Sequence, residues 1–213
     1  MHLEDHIRTA ITVLKNGGTL IYPTETVYGL GADALSEEAV RKVYSIKIRA
    51  LSQPLSLAVC SFEMLQEVAY VDSANSGILK ELLPGPVTVL LRKKAIVPDI
   101  LTAGSDLVGI RFPDNEIALS ILKETGPITS TSANVTGKKP PTCVEEVAEE
   151  VAKKADITIN GGRCKYSMPS TVVVMSREAK EIKILREGAE YDRVLHILQG
   201  KAAGRKLHGI FMS

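Results

Sequence analysis

Ser73-Ala-Asn-Ser-Gly-Ile-Leu-Lys-Glu-Leu-Leu-Pro-Gly-Pro-Val-Thr-Val-Leu-Leu91 changes its periodicity halfway along. The first half reads as a helix over about Ser73–Leu83. Pro84-Gly85-Pro86 ends it, because proline has no N–H to donate and its ring clashes with the preceding turn. Val87 to Leu91 then reads as a strand, a short apolar run rich in β-branched residues. A helix passing into a strand through a tight break is the repeating unit of an α/β fold.

The alternation continues on both sides. Upstream, Ile7, Ala10, Ile11 and Leu14 recur at helical spacing until Gly17-Gly18, and Thr19–Tyr22 is a β-prone run closed by Pro23. Ser36 is an N-cap for a helix that buries Ala39, Val40, Val43 and Tyr44. Leu55–Val59 reads as a strand and Glu63–Ala69 as a helix. Downstream, Val108–Phe112 is a strand, and Asp114 caps a helix with Ile117, Ala118, Ile121 and Leu122 on one face. Ile128–Ser130 is extended. Thr142 and Glu145 form a capping box for a helix carrying Val144, Val147, Ala148 and Val151. Ile157–Asn160, Thr171–Met175 and Ile182–Arg186 are strands, the last of them joined by short turns, and a helix covers about Asp192–Gln199. The expectation is an α/β fold in one domain, residues 1–200: a twisted mixed parallel/antiparallel sheet with helices packed on it around one core. A short basic tail, 201–213, is expected to be partly disordered.

Composition excludes several classes of function. Hydrophobic residues at 45% and charged residues at 24% are ordinary for a globular chain and exclude extensive disorder. A net charge of +1 over 213 residues excludes a uniformly basic nucleic-acid binder, though not a local basic groove. No apolar run is long enough to span a bilayer, and the N-terminus lacks a signal-peptide layout, so no membrane association is expected. Cys60, Cys143 and Cys164 are odd in number and widely spaced, which argues for a reducing, cytoplasmic setting. The four histidines, His2, His6, His196 and His208, lie near the chain ends. That placement argues against a Ser–His–Asp hydrolase and against a metal held by side chains.

Unusual polarity collects just after strands: in 22–31, in 47–55, in Gly109-Ile-Arg111, in Thr129–Asn134 and in Pro169-Ser170-Thr171. Ligands of open α/β sheets gather at strand ends, so these segments are expected to converge there. Lys47, Arg49, Arg111 and Arg186 together make an anion clamp, in which arginine supplies a bidentate fork and lysine a point charge. Gly29-Leu-Gly31-Ala-Asp-Ala34 fits a loose dinucleotide fingerprint but starts several residues past its strand and has Arg49 where an acid belongs. No Gly-x-x-x-x-Gly-Lys-[Ser/Thr] loop is present. The residues thus define a polar anion site that works without histidine, and they do not name a reaction.

PTETVYGLG at 23–31, KIRALSQPL at 47–55, LPGPVT at 83–88, VGIRFPD at 108–114, TSANVTG at 131–137, NGG at 160–162, PSTVV at 169–173 and LREG at 185–188 occur in the order found in the YrdC-like family. The chain resembles that family from roughly Ala10 to Gly188, almost its whole length. The resemblance implies a basic concave active site in a twisted α/β sheet. It implies synthesis of L-threonylcarbamoyladenylate and pyrophosphate from L-threonine, bicarbonate and ATP, a nucleotidyl transfer that serves threonylcarbamoyladenosine modification of tRNA. By motif, Thr26, Arg111, Thr131 and Ser170 would bind threonine. Lys47, Arg49, Gln53, Ser132, Asn134 and Arg186 would surround ATP, with Lys47 and Arg49 catalytic and Mg²⁺ carried by the phosphates. A downstream threonylcarbamoyl-transferase would take the product.

Four positions depart from the family pattern: Ala50 replaces a proline, Gln53 an asparagine, Ala58 a histidine and Pro141 a serine. The alternative within the same fold is a non-catalytic protein that binds tRNA or double-stranded RNA or assists ribosome maturation. The near-neutral charge and the intact Ser132-Ala133-Asn134 count against it. A carbamoyl-transfer enzyme of the hydrogenase-maturation type, where such a domain is one part of a much larger protein, is the other alternative. The short chain without zinc-finger cysteine pairs counts against that one.

Overall fold

Successive side chains of a strand point to opposite faces, and in the Val87–Leu91 run this separates core from cleft. A computed structural model describes residues 2–175, 181–201 and 206–208. Val87, Val89 and Leu91 enter the main hydrophobic core, whereas Thr88 and Leu90 face an open cavity.

In chain order the strands are β1 (Leu20–Tyr22), β2 (Gly29–Gly31), β3 (Ser56–Ala58), β4 (Val87–Arg92), β5 (Leu107–Arg111), β6 (Ile128–Thr129), β7 (Thr131–Ser132), β8 (Ile157–Thr158), β9 (Thr171–Met175), β10 (Glu181–Arg186) and β11 (Lys206–His208). The helices are α1 (Leu3–Lys15), α2 (Glu37–Lys47), α3 (Phe62–Val68), α4 (Ser73–Leu82), α5 (Asp99–Thr102), α6 (Glu116–Thr125), α7 (Glu149–Ala152) and α8 (Tyr191–Lys201).

The expected single sheet is two sheets. The larger runs β11-β10-β9-β4-β5-β3-β6 and the smaller β7-β2-β1-β8, and both mix parallel with antiparallel pairs. The chain passes from the edge of one to the edge of the other at Ser130, between β6 and β7. Thr129 joins them: it is fully buried, its hydroxyl donates to the Leu30 carbonyl and accepts from Ala32 N–H, and its own N–H donates to the Ala32 carbonyl. Two clusters of buried side chains fill the interior, and each draws on both sheets. Leu65 and Val68 of α3, Ile78 and Leu79 of α4, and Val194 and Leu198 of α8 join the core around β4, β5 and β9. Ala10 and Leu14 of α1 pack with Ile121 and Leu122 of α6 and with Tyr22 in a second cluster, so the expected single core is also two.

Three local expectations are corrected. Gly29–Gly31, expected only as part of a polar segment that follows a strand, is itself β2, an inner strand of the smaller sheet. Its glycines allow it to lie on the Tyr22 ring, which a Cβ at Gly29 would approach to 2.9 Å. The N-cap of α6 is Asn115, whose side chain accepts from Ala118 N–H, and not Asp114. The Thr142–Glu145 capping box does not form either. Glu146 accepts from both the N–H and the hydroxyl of Thr142, and the segment divides into a 3-10 turn, Val144–Glu146, and the short α7. In the tail, 206–208 pair with β10 as a parallel edge strand, and the rest of the expected disorder lies outside the described residues. No described helix is long and apolar enough to cross a membrane.

Candidate functional site

The cavity, about 390 Å³, lies across the face of the larger sheet and is overhung by the smaller one. This differs from the expected placement at strand ends, and the cause is the alternation described above. Ser56, Thr88, Gly109, Arg111 and Ser170 share the face that the helices do not cover. Gly109 is required there, since a Cβ would stand 2.4 Å from Ser56 Oγ. The opposite wall is built from Thr24, Thr26, Gly29 and Ser130–Ser132, and Arg49 and Arg186 stand at the rim.

Of the residues singled out in the sequence, Thr26, Arg49, Arg111, Thr131, Ser132, Ser170 and Arg186 line the cavity. The three arginines are accompanied by no carboxylate, histidine or cysteine among the lining residues. Arg186 donates through Nε and Nη2 to the Ser170 carbonyl, at 3.1 and 2.8 Å, and through Nη2 to Ser170 Oγ at 3.1 Å. Arg49 donates to the carbonyls of Gln53 and Pro54. Burial lowers the proton affinity of Arg49, and at Arg186 burial and the like charge of Arg111 do the same. Guanidiniums held this way constitute a standing demand for an anion.

Arg111 is held more tightly. Its side chain is buried, Nη1 donates to the Gly85 and Val87 carbonyls, and Nη2 meets Glu25 Oε1 in a buried ion pair. Glu25 was not read from the sequence as a site residue. Its signal was present: an acid inside an otherwise neutral Pro-Thr-Glu-Thr segment at a strand end. Thr24, Thr88 and Ser56 were also missed: alternation sets Thr88 and Ser56 apart from their apolar neighbours within each strand, but only the pairing of both strands with β5 puts them on one face.

Lys47, Gln53 and Asn134 stand beside the cavity without lining it. Lys47 ends α2 and is almost fully buried, 1% exposed. Its ammonium donates to the carbonyls of Ser132 and Asn134, and its own carbonyl accepts from Thr136. Burial, reinforced by Arg49, pushes its pKa down to about 8. Asn134 turns its amide back onto the Val135 and Lys138 carbonyls, and Gln53 is exposed with its carbonyl holding Tyr44 and Arg49. Ile48 separates Lys47 from Arg49 in the left-handed region, φ 50° and ψ 50°, so one cation turns inward and the other toward the cavity. Of the departures from the family pattern, Ala50 is exposed, while Ala58 and Pro141 are buried outside the cavity lining, which Pro140 joins instead. Among the described residues no cluster of acids, histidines and cysteines could hold a metal.

Fold and site together define an α/β protein with a cleft for a small polar, anionic ligand, built from arginines and hydroxyls with no histidine to activate a nucleophile. A family model for Sua5, YciO and YrdC proteins, described as telomere recombination, matches residues 12–188, and the chain belongs to that family. It is 46% identical over 191 residues to a Methanocaldococcus jannaschii protein provisionally named a threonylcarbamoyl-AMP synthase, covering 87% of this chain and 88% of that one. It is 40% identical over 172 residues to the threonylcarbamoyl-AMP synthase of Pyrococcus abyssi, covering 80% of this chain but only 51% of that longer protein. Among solved structures, P. abyssi Sua5 complexed with L-threonine superposes with a TM-score of 0.87 at 33% identity, over 98% of this chain and 60% of that one. Escherichia coli YciO superposes with a TM-score of 0.78 at 26% identity, over 88% and 91%.

Proposed function

We propose that the protein is a threonylcarbamoyl-AMP synthase: it joins L-threonine, bicarbonate and ATP into L-threonylcarbamoyladenylate and releases pyrophosphate. The observation that carries this reading is the convergence of Arg49, Arg111 and Arg186 on one hydroxyl-lined cavity that contains no carboxylate. Membership of the family and the names of its relatives support the choice of substrates.

The chemistry needs no protein nucleophile. The threonine amine, once deprotonated, attacks the bicarbonate carbon: the C–N bond forms, the C–OH bond breaks, and the hydroxide leaves with an amine proton as water, which gives the carbamate. A carbamate oxygen then attacks the α-phosphorus of ATP, and the bond to pyrophosphate breaks. Thr26, Arg111, Thr131 and Ser170 hold the amino acid in this reading. Arg49, Arg186 and Ser132 take the nucleotide, whose charge grows on the leaving pyrophosphate as the bond breaks. Lys47 and Asn134 act mainly by fixing the 132–138 loop, and Lys47 adds a nearby charge. ATP enters as its magnesium complex, with the ion carried mainly by the phosphates. Catalysis then rests on positioning and charge neutralisation. The adenylate would pass to a transferase that acts on tRNA.

The test is pyrophosphate release from Mg–ATP by the purified protein. Release that requires both L-threonine and bicarbonate, with a nucleotide product of the threonylcarbamoyladenylate mass, is the expected result. A folded protein that releases none under these conditions overturns the reading.

A further inference from the structure

Tyr44 belongs to the main core and is 3% exposed, yet its hydroxyl emerges at the turn that carries Arg49. The hydroxyl oxygen lies 2.9 Å from the Gln53 carbonyl oxygen and 3.0 Å from the Ile100 carbonyl oxygen. A phenol has one proton, so the two carbonyls share it. The Gln53 carbonyl also accepts from Arg49 Nε at 3.1 Å, and the Tyr44 carbonyl accepts from the Arg49 backbone N–H at 3.0 Å. One tyrosine therefore holds Arg49 twice, at its backbone and, through Gln53, at its guanidinium.

The guanidinium is held by one edge. Nε and Nη2 donate to the Gln53 and Pro54 carbonyls, and together they form the side of the fork. Nη1 has no protein partner among the described residues, so the end of the fork is what remains for an anion. A turn that carried the Gln53 carbonyl elsewhere would swing that end with it. Little else fixes the turn. Residues 50–54 are all exposed, and their backbone is tied only where Gln53 N–H donates to the Ala50 carbonyl and where Leu55 N–H, just beyond, donates to the Leu101 carbonyl. Ala50 stands where the family pattern has proline, so no ring restrains the backbone on either side of Arg49 and Ala50.

We propose that Tyr44 is a positioning residue for nucleotide binding: its hydroxyl, through the Gln53 carbonyl, sets the direction in which Arg49 offers its guanidinium to the phosphates. The inference rests on the assignment of Arg49 to the nucleotide. Burial raises the pKa of the phenol, against the opposing pull of the Arg49 charge, so the hydroxyl remains a donor throughout the neutral range.

The experiment is a double-mutant cycle read by pyrophosphate release. Tyr44→Phe keeps the ring in the core and removes only the hydroxyl. It should raise KM for ATP about fivefold, the scale of one hydrogen bond, and hold KM for L-threonine within about twofold. Added to Arg49→Ala, the same substitution should change kcat/KM for ATP by less than about 1.5-fold, because the group it acts through is gone. Ala50→Pro, which stiffens the turn by another route, should return KM for ATP in Tyr44→Phe to within about twofold of wild type. A packing defect would instead lower kcat/KM by the same factor with and without Arg49. That equal loss, or an unchanged KM for ATP in Tyr44→Phe, overturns the inference. Calorimetric titration of the wild-type protein with Mg–ATP separates the two levels: nucleotide binding without coupling between Tyr44 and Arg49 overturns the inference alone, and absence of binding overturns the reading beneath it as well.

Discussion

Lys47 and Arg49 are two residues apart and do different work. Arg49 is partly exposed and its protein partners are turn carbonyls that water can satisfy. Arg49→Ala should therefore lower kcat/KM for ATP by about 100-fold or more, the usual scale for losing a charge-stabilising donor, with little change in the thermal midpoint. Lys47 is different, because an alanine there would leave the Ser132 and Asn134 carbonyls without their donor and loosen the loop as well. Its pH response isolates the charge. With a folded pKa of about 8 against a reference of 10.5, the folded chain loses this proton first. Below pH 8 both states carry it. Between about 8 and 10.5 only the unfolded chain does, so this group's contribution to stability rises with pH across that window as the buried charge is relieved. The neutral amine still has two N–H bonds for its two carbonyls. Activity should move the other way: kcat/KM for ATP falls as pH rises through about 8, as charge is lost beside the phosphates. A pH–rate profile taken together with urea midpoints checks both signs, and a flat profile to pH 9 would remove Lys47 from the electrostatics.

At the scale of elements, the site depends on backbones that approach closely. Gly188 follows β10, and a Cβ there would stand 2.3 Å from the Pro169 carbonyl oxygen and 2.4 Å from the Ser170 carbonyl carbon. These are backbone atoms that cannot swing away. Gly188→Ala should cost about 3 kcal/mol of unfolding free energy, the upper range for overpacking, and should reduce turnover by displacing Ser170 and Arg186. Denaturant titration and assay of the same variant test this. Ile48 shows how little of such geometry a motif reveals. A β-branched residue at φ 50° is costly, and the sequence Lys-Ile-Arg contains no glycine or asparagine to announce a left-handed turn.

At the scale of the molecule, Glu25 follows β1 of the smaller sheet and Arg111 ends β5 of the larger one, so their ion pair bridges the two. Both side chains are buried, 1% and 5% exposed. Glu25→Ala would leave a buried guanidinium uncompensated, which costs about 3–5 kcal/mol. Glu25→Gln, whose amide oxygen can still accept from Arg111, should lose less. Urea unfolding of the two variants should rank them in that order, and equal losses would show that the carboxylate's charge has no special part in holding the sheets together.

The sequence by itself determined the alternation of helices and strands, the caps at Ser36 and the break at Pro84-Gly85-Pro86, the family, and seven of the ten candidate residues that line one cavity. These follow from local periodicity and from motifs whose spacing can be read along the chain. The tertiary structure alone decided that there are two sheets and that the cavity lies across a sheet face. It also decided that Lys47 and Asn134 brace the loop beside the cavity, and that Thr24, Glu25 and Thr88 complete its polar framework. The reason is physical. A glycine strand such as Gly29–Gly31 has no side-chain pattern, and its pairing partner is known only once Tyr22 lies beneath it.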